Sequence, residues 1–137
     1  YRFTEEDHFD LMDFLSDFGA TRPARLYVMA KLIGMPGKVG VDGKDVVPLI
    51  HKGRVEEVRD YCLCDVVQTA ALFLRVELLR GAIDRPKYIT AARALLRHLS
   101  THPRVHAALW DHIDLERFLL GEGLEQATEQ PGAVLAH

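Results

Sequence analysis

The sequence predicts a predominantly helical chain from an α/β domain, with at most one or two short strands of its own. Three observations predict it. Apolar residues recur at helical spacing through most of the chain, and Arg54 to Arg80 reads as one long helix. His8-Phe9-Asp10-Leu11 is strand-like but alone, and an isolated short strand cannot satisfy its ladder. The chain also begins at Tyr1 without Met, running into that segment with no edge or cap before it. The partner strands are therefore expected upstream, and the chain is expected to be the C-terminal part of a longer protein.

The elements follow in order. After a polar start, the strand at His8–Leu11 leads to a helix beginning near Asp10 or Asp13 and stopping at Gly19, past Phe18. Thr21 and Pro23 mark the next helix start, since Thr caps and Pro is tolerated in a first turn. That helix turns Leu26, Met29, Ala30 and Ile33 inward and ends at Gly34. Gly34-Met35-Pro36-Gly37-Lys38-Val39-Gly40-Val41-Asp42-Gly43-Lys44 is a loop needing several special backbone angles. A short helix, Asp45 to Lys52, closes at Gly53, and the long helix closes at Gly81. Beyond Pro86, one amphipathic helix spans Tyr88 to Leu99, Pro103 breaks it, and a second runs from Val105 to Leu120. The residues from Gly121 onward are expected to fray.

At 137 residues the chain is one domain or a piece of one, and 48% hydrophobic with 27% charged residues is ordinary globular composition. A net charge of −3 gives no overall electrostatic footprint for nucleic acid. This argues against a DNA-coating protein but not against a nuclease, whose site is acidic because it holds metal ions. Cys62 and Cys64 point in different directions on a helix and are expected as reduced thiols in a cytoplasmic protein. No apolar run is long enough to span a bilayer, so no membrane partner is expected.

Tyr61-Cys62-Leu63-Cys64-Asp65 is the most informative segment. On a helical plot, Val55, Val58, Cys62, Val66, Phe73, Val76 and Leu79 form one broad apolar face, within which Tyr61, Asp65, Thr69 and Leu72 also fall. Asp65 is its only acidic member. A carboxylate facing a core is costly unless paired, hydrogen-bonded or bound to metal. A bare Tyr-x-x-x-Asp is a common spacing, and a core tyrosine with an Asp paired to a nearby Arg satisfies it equally.

The context is more specific. Arg59-Asp60-Tyr61-Cys62 with Asp65-Val66 and Thr69 resembles the third exonuclease motif of the DEDD superfamily of 3'-5' exonucleases, in the branch with Tyr. His8 to Ser16 is similar to the segment after the second motif in a bacterial group related to the proofreading domain of family B DNA polymerases. Gly34 to Lys38 with Val41-Asp42-Gly43 is similar to that group's following loop. The resemblance covers residues 3–84.

It implies an α/β ribonuclease H-like exonuclease fold, with residues 1–84 its mostly helical C-terminal part and 85–137 a helical extension. It implies metal-dependent hydrolysis of nucleic acid from the 3' end to nucleoside monophosphates, with single-stranded DNA the first expectation for substrate and RNA the other. Asp65 would be a ligand of Mg²⁺ or Mn²⁺ and Tyr61 would orient the attacking water. Lys38 and Lys44 either touch substrate phosphate or are solvated lysines on a turn. The superfamily's Asp-x-Glu and second-motif Asp are expected upstream of Tyr1, so these residues alone are expected to be inactive. Asp114-Leu115-Glu116 follows the third motif and sits in a predicted helix, so it is read as a decoy. His98, His102 and His106 are read as surface residues. The competing readings are a degenerate nuclease core that binds without cutting and a wholly helical adaptor.

Overall fold

The structure, a computed structural model, describes residues 9–17, 19–22, 24–40 and 42–122. Every regular element among them is helical. The expected strand at His8–Leu11 is replaced where it is described, because Asp10 starts a helix. Its carboxylate accepts from the N–H groups of Met12 (2.9 Å) and Asp13 (3.1 Å), which satisfies two donors that a helix start leaves open. That helix is α1, Leu11–Leu15. His8 and Phe18 lie outside the described residues.

The second helix, α2, spans Leu26–Leu32, later than Thr21 and Pro23 suggest. Thr21 is tied back to the α1 turn, its N–H donating to the Ser16 carbonyl at 2.9 Å. Pro23 lies outside the described residues, and Arg25, in extended conformation, precedes α2 with no side-chain cap. A 3-10 turn at Gly43–Asp45 leads into α3, Val46–His51. The long helix α4 is Val55–Leu79, close to its expected bounds. Asp84 caps α5, Arg85–Leu99, by accepting from the Lys87 N–H (2.9 Å), with Pro86 in the first turn.

The expected helix from Val105 to Leu120 is three pieces: α6 (Pro103–Leu109), a 3-10 turn (Trp110–His112) and α7 (Leu115–Phe118). The break has a local cause. Ile113 turns extended, and the Asp114 N–H donates to the Gly34 carbonyl (2.8 Å), so the chain leaves the helix to meet the end of α2. The Asp114 carboxylate then restarts a helix by accepting from the Arg117 N–H at 3.0 Å. Gly34 has φ +95°, and a Cβ there would lie 2.6 Å from the Asp114 carbonyl oxygen, so this crossing needs glycine.

The central helix, α4, packs against α2, α3, α5 and α6. One core joins Ala30 and Ile33 of α2, Ala71 and Leu72 of α4, Tyr88, Ile89, Ala92 and Leu96 of α5, and Phe118 and Leu119. It runs across residue 84. A second core holds Cys64, Leu99, Val105 and Leu109, and Trp110 packs against both. Within the first core, Tyr88 carries a polar joint that ties α4, α5 and the end of α7 together. Its fully buried hydroxyl donates to the Phe118 carbonyl (2.7 Å) and accepts from Arg75 Nη2 (2.9 Å) and Nε (3.1 Å). Arg75 Nη2 also donates to the carbonyls of Arg117 and Phe118 at the end of α7.

The buried face of α4 differs from the one the helical plot suggests. It carries Cys64, Gln68, Ala71, Leu72 and Val76, roughly a quarter turn away. Val55, Cys62, Val66, Phe73 and Leu79 are exposed, Val66 at 62% and Leu79 at 78%. Hydropathy alone favoured the valine-rich side; the neighbouring helices cover the side with the buried amide and small residues.

Two outcomes follow from this packing. Tyr88→Phe removes the shorter of the two donors to the Phe118 carbonyl and one of the acceptors of Arg75, whose bonds to the Arg117 and Phe118 carbonyls remain, and should cost about 0.5–1.5 kcal/mol in urea unfolding; no measurable change would contradict the joint. Burial, followed by the charges of Asp65 and Asp60, pushes the Cys64 thiol up to about 11, whereas Cys62 is exposed. Iodoacetamide at neutral pH should therefore label Cys62 in the native protein and Cys64 only after unfolding, as read by peptide mass spectrometry.

Candidate active site

Tyr61 and Asp65 sit one turn apart at the edge of the buried face of α4, and both are half-buried. Asp65 does not point into the core as the helical plot suggests. It lines a cleft of about 160 Å³ with Tyr61, Gln68, Leu26, Tyr27 and the loop residues Gly37, Lys38, Val39 and Asp42. Burial, then the charge of Asp65 and a hydrogen bond to its carboxylate, raise the Tyr61 phenol above the usual tyrosine range. At neutral pH Tyr61 is therefore a protonated donor beside a carboxylate acceptor.

The Gly-rich loop is held over this edge by a single side chain. Gln68 is 2% exposed, and its amide makes a closed pair with the Gly37 peptide. The Gly37 N–H donates to Gln68 Oε1 and Gln68 Nε2 donates to the Gly37 carbonyl, both at 2.7 Å. Gly37 has φ +83°, and a Cβ there would lie 2.8 Å from the Tyr27 carbonyl oxygen. Only glycine lets the loop lie between α2 and α4 at this height.

Lys38 follows and reaches the cleft, with its Nζ 2.7 Å from Asp42 Oδ2. Each partner holds the other charged: the hydrogen bond to Asp42 raises Lys38, and the one from Lys38 lowers Asp42. Lys44 lies apart from its expected companion. It is 78% exposed, 3.8 Å from Asp42, and is not among the residues lining this cleft. Asp42 is the residue that the motif reading passed over. Its signal was its place four residues after Lys38 in a glycine-rich loop.

The donor set facing the cleft is oxygen: the carboxylates of Asp42 and Asp65 and the phenol of Tyr61. That suits a hard divalent cation. No group of three or more His, Cys, Asp or Glu able to hold a metal occurs among the described residues, and the cleft itself offers two carboxylates, Asp42 and Asp65. The histidines at 98, 102 and 106 are engaged otherwise. His98 and His102 meet edge to face, and His106 stacks on Trp110 at 4.8 Å.

Residues 1–113 match the model of a family described as predicted 3'-5' exonucleases related to the exonuclease domain of PolB. The chain belongs to this family. No curated relative and no solved structure matches it. The match to this exonuclease family takes in the loop, the cleft and α4, and it continues through α5 and α6. No helix among the described residues is long and apolar enough to cross a membrane, and a nucleic-acid substrate accords with the family.

The Gln68 pairing makes a direct prediction for this exonuclease-family site. Gln68→Leu leaves both polar groups of the Gly37 peptide buried without a partner and should cost about 2–4 kcal/mol. Limited proteolysis between residues 34 and 43 should quicken in parallel. Unchanged stability together with an unchanged cleavage pattern would show that the loop is held by something else.

Proposed function

We propose that this chain is the third-motif part of a ribonuclease H-like 3'-5' exonuclease that trims nucleic acid, single-stranded DNA first, to nucleoside monophosphates. The observation that carries the reading is the shared cleft of Tyr61 and Asp65 in a member of a predicted exonuclease family. In this reading Asp65 is a carboxylate ligand for Mg²⁺ or Mn²⁺, with Asp42 close enough along the cleft to assist. The bound cations would supply an activated water and charge stabilisation at the leaving oxygen. Tyr61, protonated and anchored to Asp65, holds the water's orientation without competing as an anionic ligand. Lys38 lies where a phosphate beside the scissile bond would need a cation, and Lys44 contributes at longer range.

The exposed apolar stripe of α4 supports the α/β fold. Val55, Cys62, Val66 and Phe73 run beside Asp65, on the side that the described helices leave uncovered. A sheet covering that stripe would also bring its own carboxylates to Asp65. In this reading the remaining acidic ligands come from the part of the domain that carries that sheet, and residues 1–137 alone should not cut.

The test is digestion of a 5'-labelled single-stranded DNA oligonucleotide by the full-length protein with Mg²⁺ or Mn²⁺. A ladder shortening from the 3' end is expected. Asp65→Asn should slow it about 10³-fold, several kcal/mol of lost transition-state stabilisation, and Tyr61→Phe by less. A ladder that persists at full rate in Asp65→Asn would refute the assignment. Binding with no cutting of either DNA or RNA would favour a degenerate core that binds without hydrolysis.

A further inference from the structure

Beside the Tyr61–Asp65 cleft lies a larger one of about 590 Å³, within the range of small-ligand and nucleotide sites. Its ionisable lining is Lys31, Lys38, His112, Asp114 and Arg117. Three Lys and Arg side chains therefore face one carboxylate, in a chain whose formal charge is −3. The carboxylate is already engaged, since Asp114 caps α7 and lies 3.5 Å from Arg117 Nε. Lys31 is exposed and forms no ion pair among the described residues. Its stem is packed at the Gly37 turn, within 2.9 Å of where a Cβ would sit, so its position is set by the same loop that frames the first cleft.

The two clefts are adjacent. Lys38 and Val39 line both. The balance of charge changes sign across them: Asp42 and Asp65 outnumber Lys38 on one side, and the cations outnumber Asp114 on the other. A polyanion with its reacting phosphate at the acidic, cation-binding end would meet neutralising side chains as it leaves that end. Gly34 and Gly40 also line the larger cleft and add no side-chain bulk to it.

We propose that this basic groove binds the phosphodiester backbone of the substrate strand on the 5' side of the scissile bond, through Lys31, Lys38 and Arg117. The direction follows from trimming at a 3' end, where only the terminal nucleotide lies beyond the bond that breaks. The proposal rests on the nuclease reading above, and adds the path of the strand.

The test uses the full-length protein carrying Asp65→Asn, to prevent cutting, and a labelled single strand of about 12 nucleotides, within the usual ~4–16 nucleotide site sizes. Affinity is measured by fluorescence anisotropy over a series of salt concentrations. Adding Lys31→Gln should weaken binding about 3–10-fold and make the log–log salt slope shallower by about 0.7, the value for one single-strand phosphate contact. Lys31→Arg should restore both. Lys52→Gln, the same charge loss at an exposed residue outside the groove, should change neither. An unchanged slope and affinity in Lys31→Gln, while cleavage still depends on Asp65, overturns the groove and leaves the nuclease intact. Absence of both binding and cleavage in the unsubstituted protein overturns both. Equal affinity for a poly-glutamate peptide of the same charge overturns the groove in favour of an acidic protein partner.

Discussion

The pairing of the Gln68 amide with the Gly37 peptide is the constraint on which the rest of the site depends. A loop rich in glycine has no regular ladder of its own and would otherwise sample many conformations. One buried side-chain amide supplies what a neighbouring strand would supply, a donor and an acceptor in register, at 2.7 Å each. It sits one turn after Asp65 on α4, so the anchor and the candidate ligand share a rigid element. The next loop residue is Lys38, which borders both clefts. The loop is thus fixed at its middle, and the charged groups on its far side can still exchange partners. The Lys38–Asp42 pair is about half exposed, where ion pairs are weak and screened by salt, and a competing phosphate could replace the carboxylate at little cost.

Along its length α4 presents three kinds of surface. One arc, through Cys64, Gln68, Ala71, Leu72 and Val76, is covered by the other helices. An opposing arc, through Val55, Cys62, Val66 and Phe73, is apolar and exposed. Tyr61 and Asp65 occupy the seam between them. The seam explains why both are half-buried: dry enough to raise the phenol, open enough for a carboxylate to remain solvated without a buried counter-charge.

Much of this was legible from the residues. The extent of α4, its closure at Gly81, the short helix before Gly53 and the inward residues of α5 all follow from spacing and breakers. Tyr61 and Asp65 could be singled out together because a four-residue interval on a helix puts them on one side. Other features depended on contacts distant in sequence. Asp10 could have ended a strand or capped a helix, and only its two backbone partners decide between them. The break at Ile113 exists because Asp114 meets Gly34, a pairing that no local pattern announces. The inward side of α4 was misjudged because glutamine counts as polar, yet Gln68 is buried by a peptide 31 residues away. Lys38 and Lys44 looked alike in a loop, and only the fold brings one to the cleft.

The Arg75–Tyr88–Phe118 joint acts on this arrangement at a distance. Tyr61 and Arg75 lie on the same unbroken helix, about 21 Å apart at the usual rise per residue. A rod of that length magnifies small angular errors. A tilt of roughly 3° about the joint would displace the phenol by on the order of 1 Å, and misplacement on that scale can cost ~10²-fold in rate. Side chains far from the cleft therefore help to set the pointing accuracy of Tyr61 and Asp65, and a loosened joint would be felt at the mouth of the cleft as well as in the core.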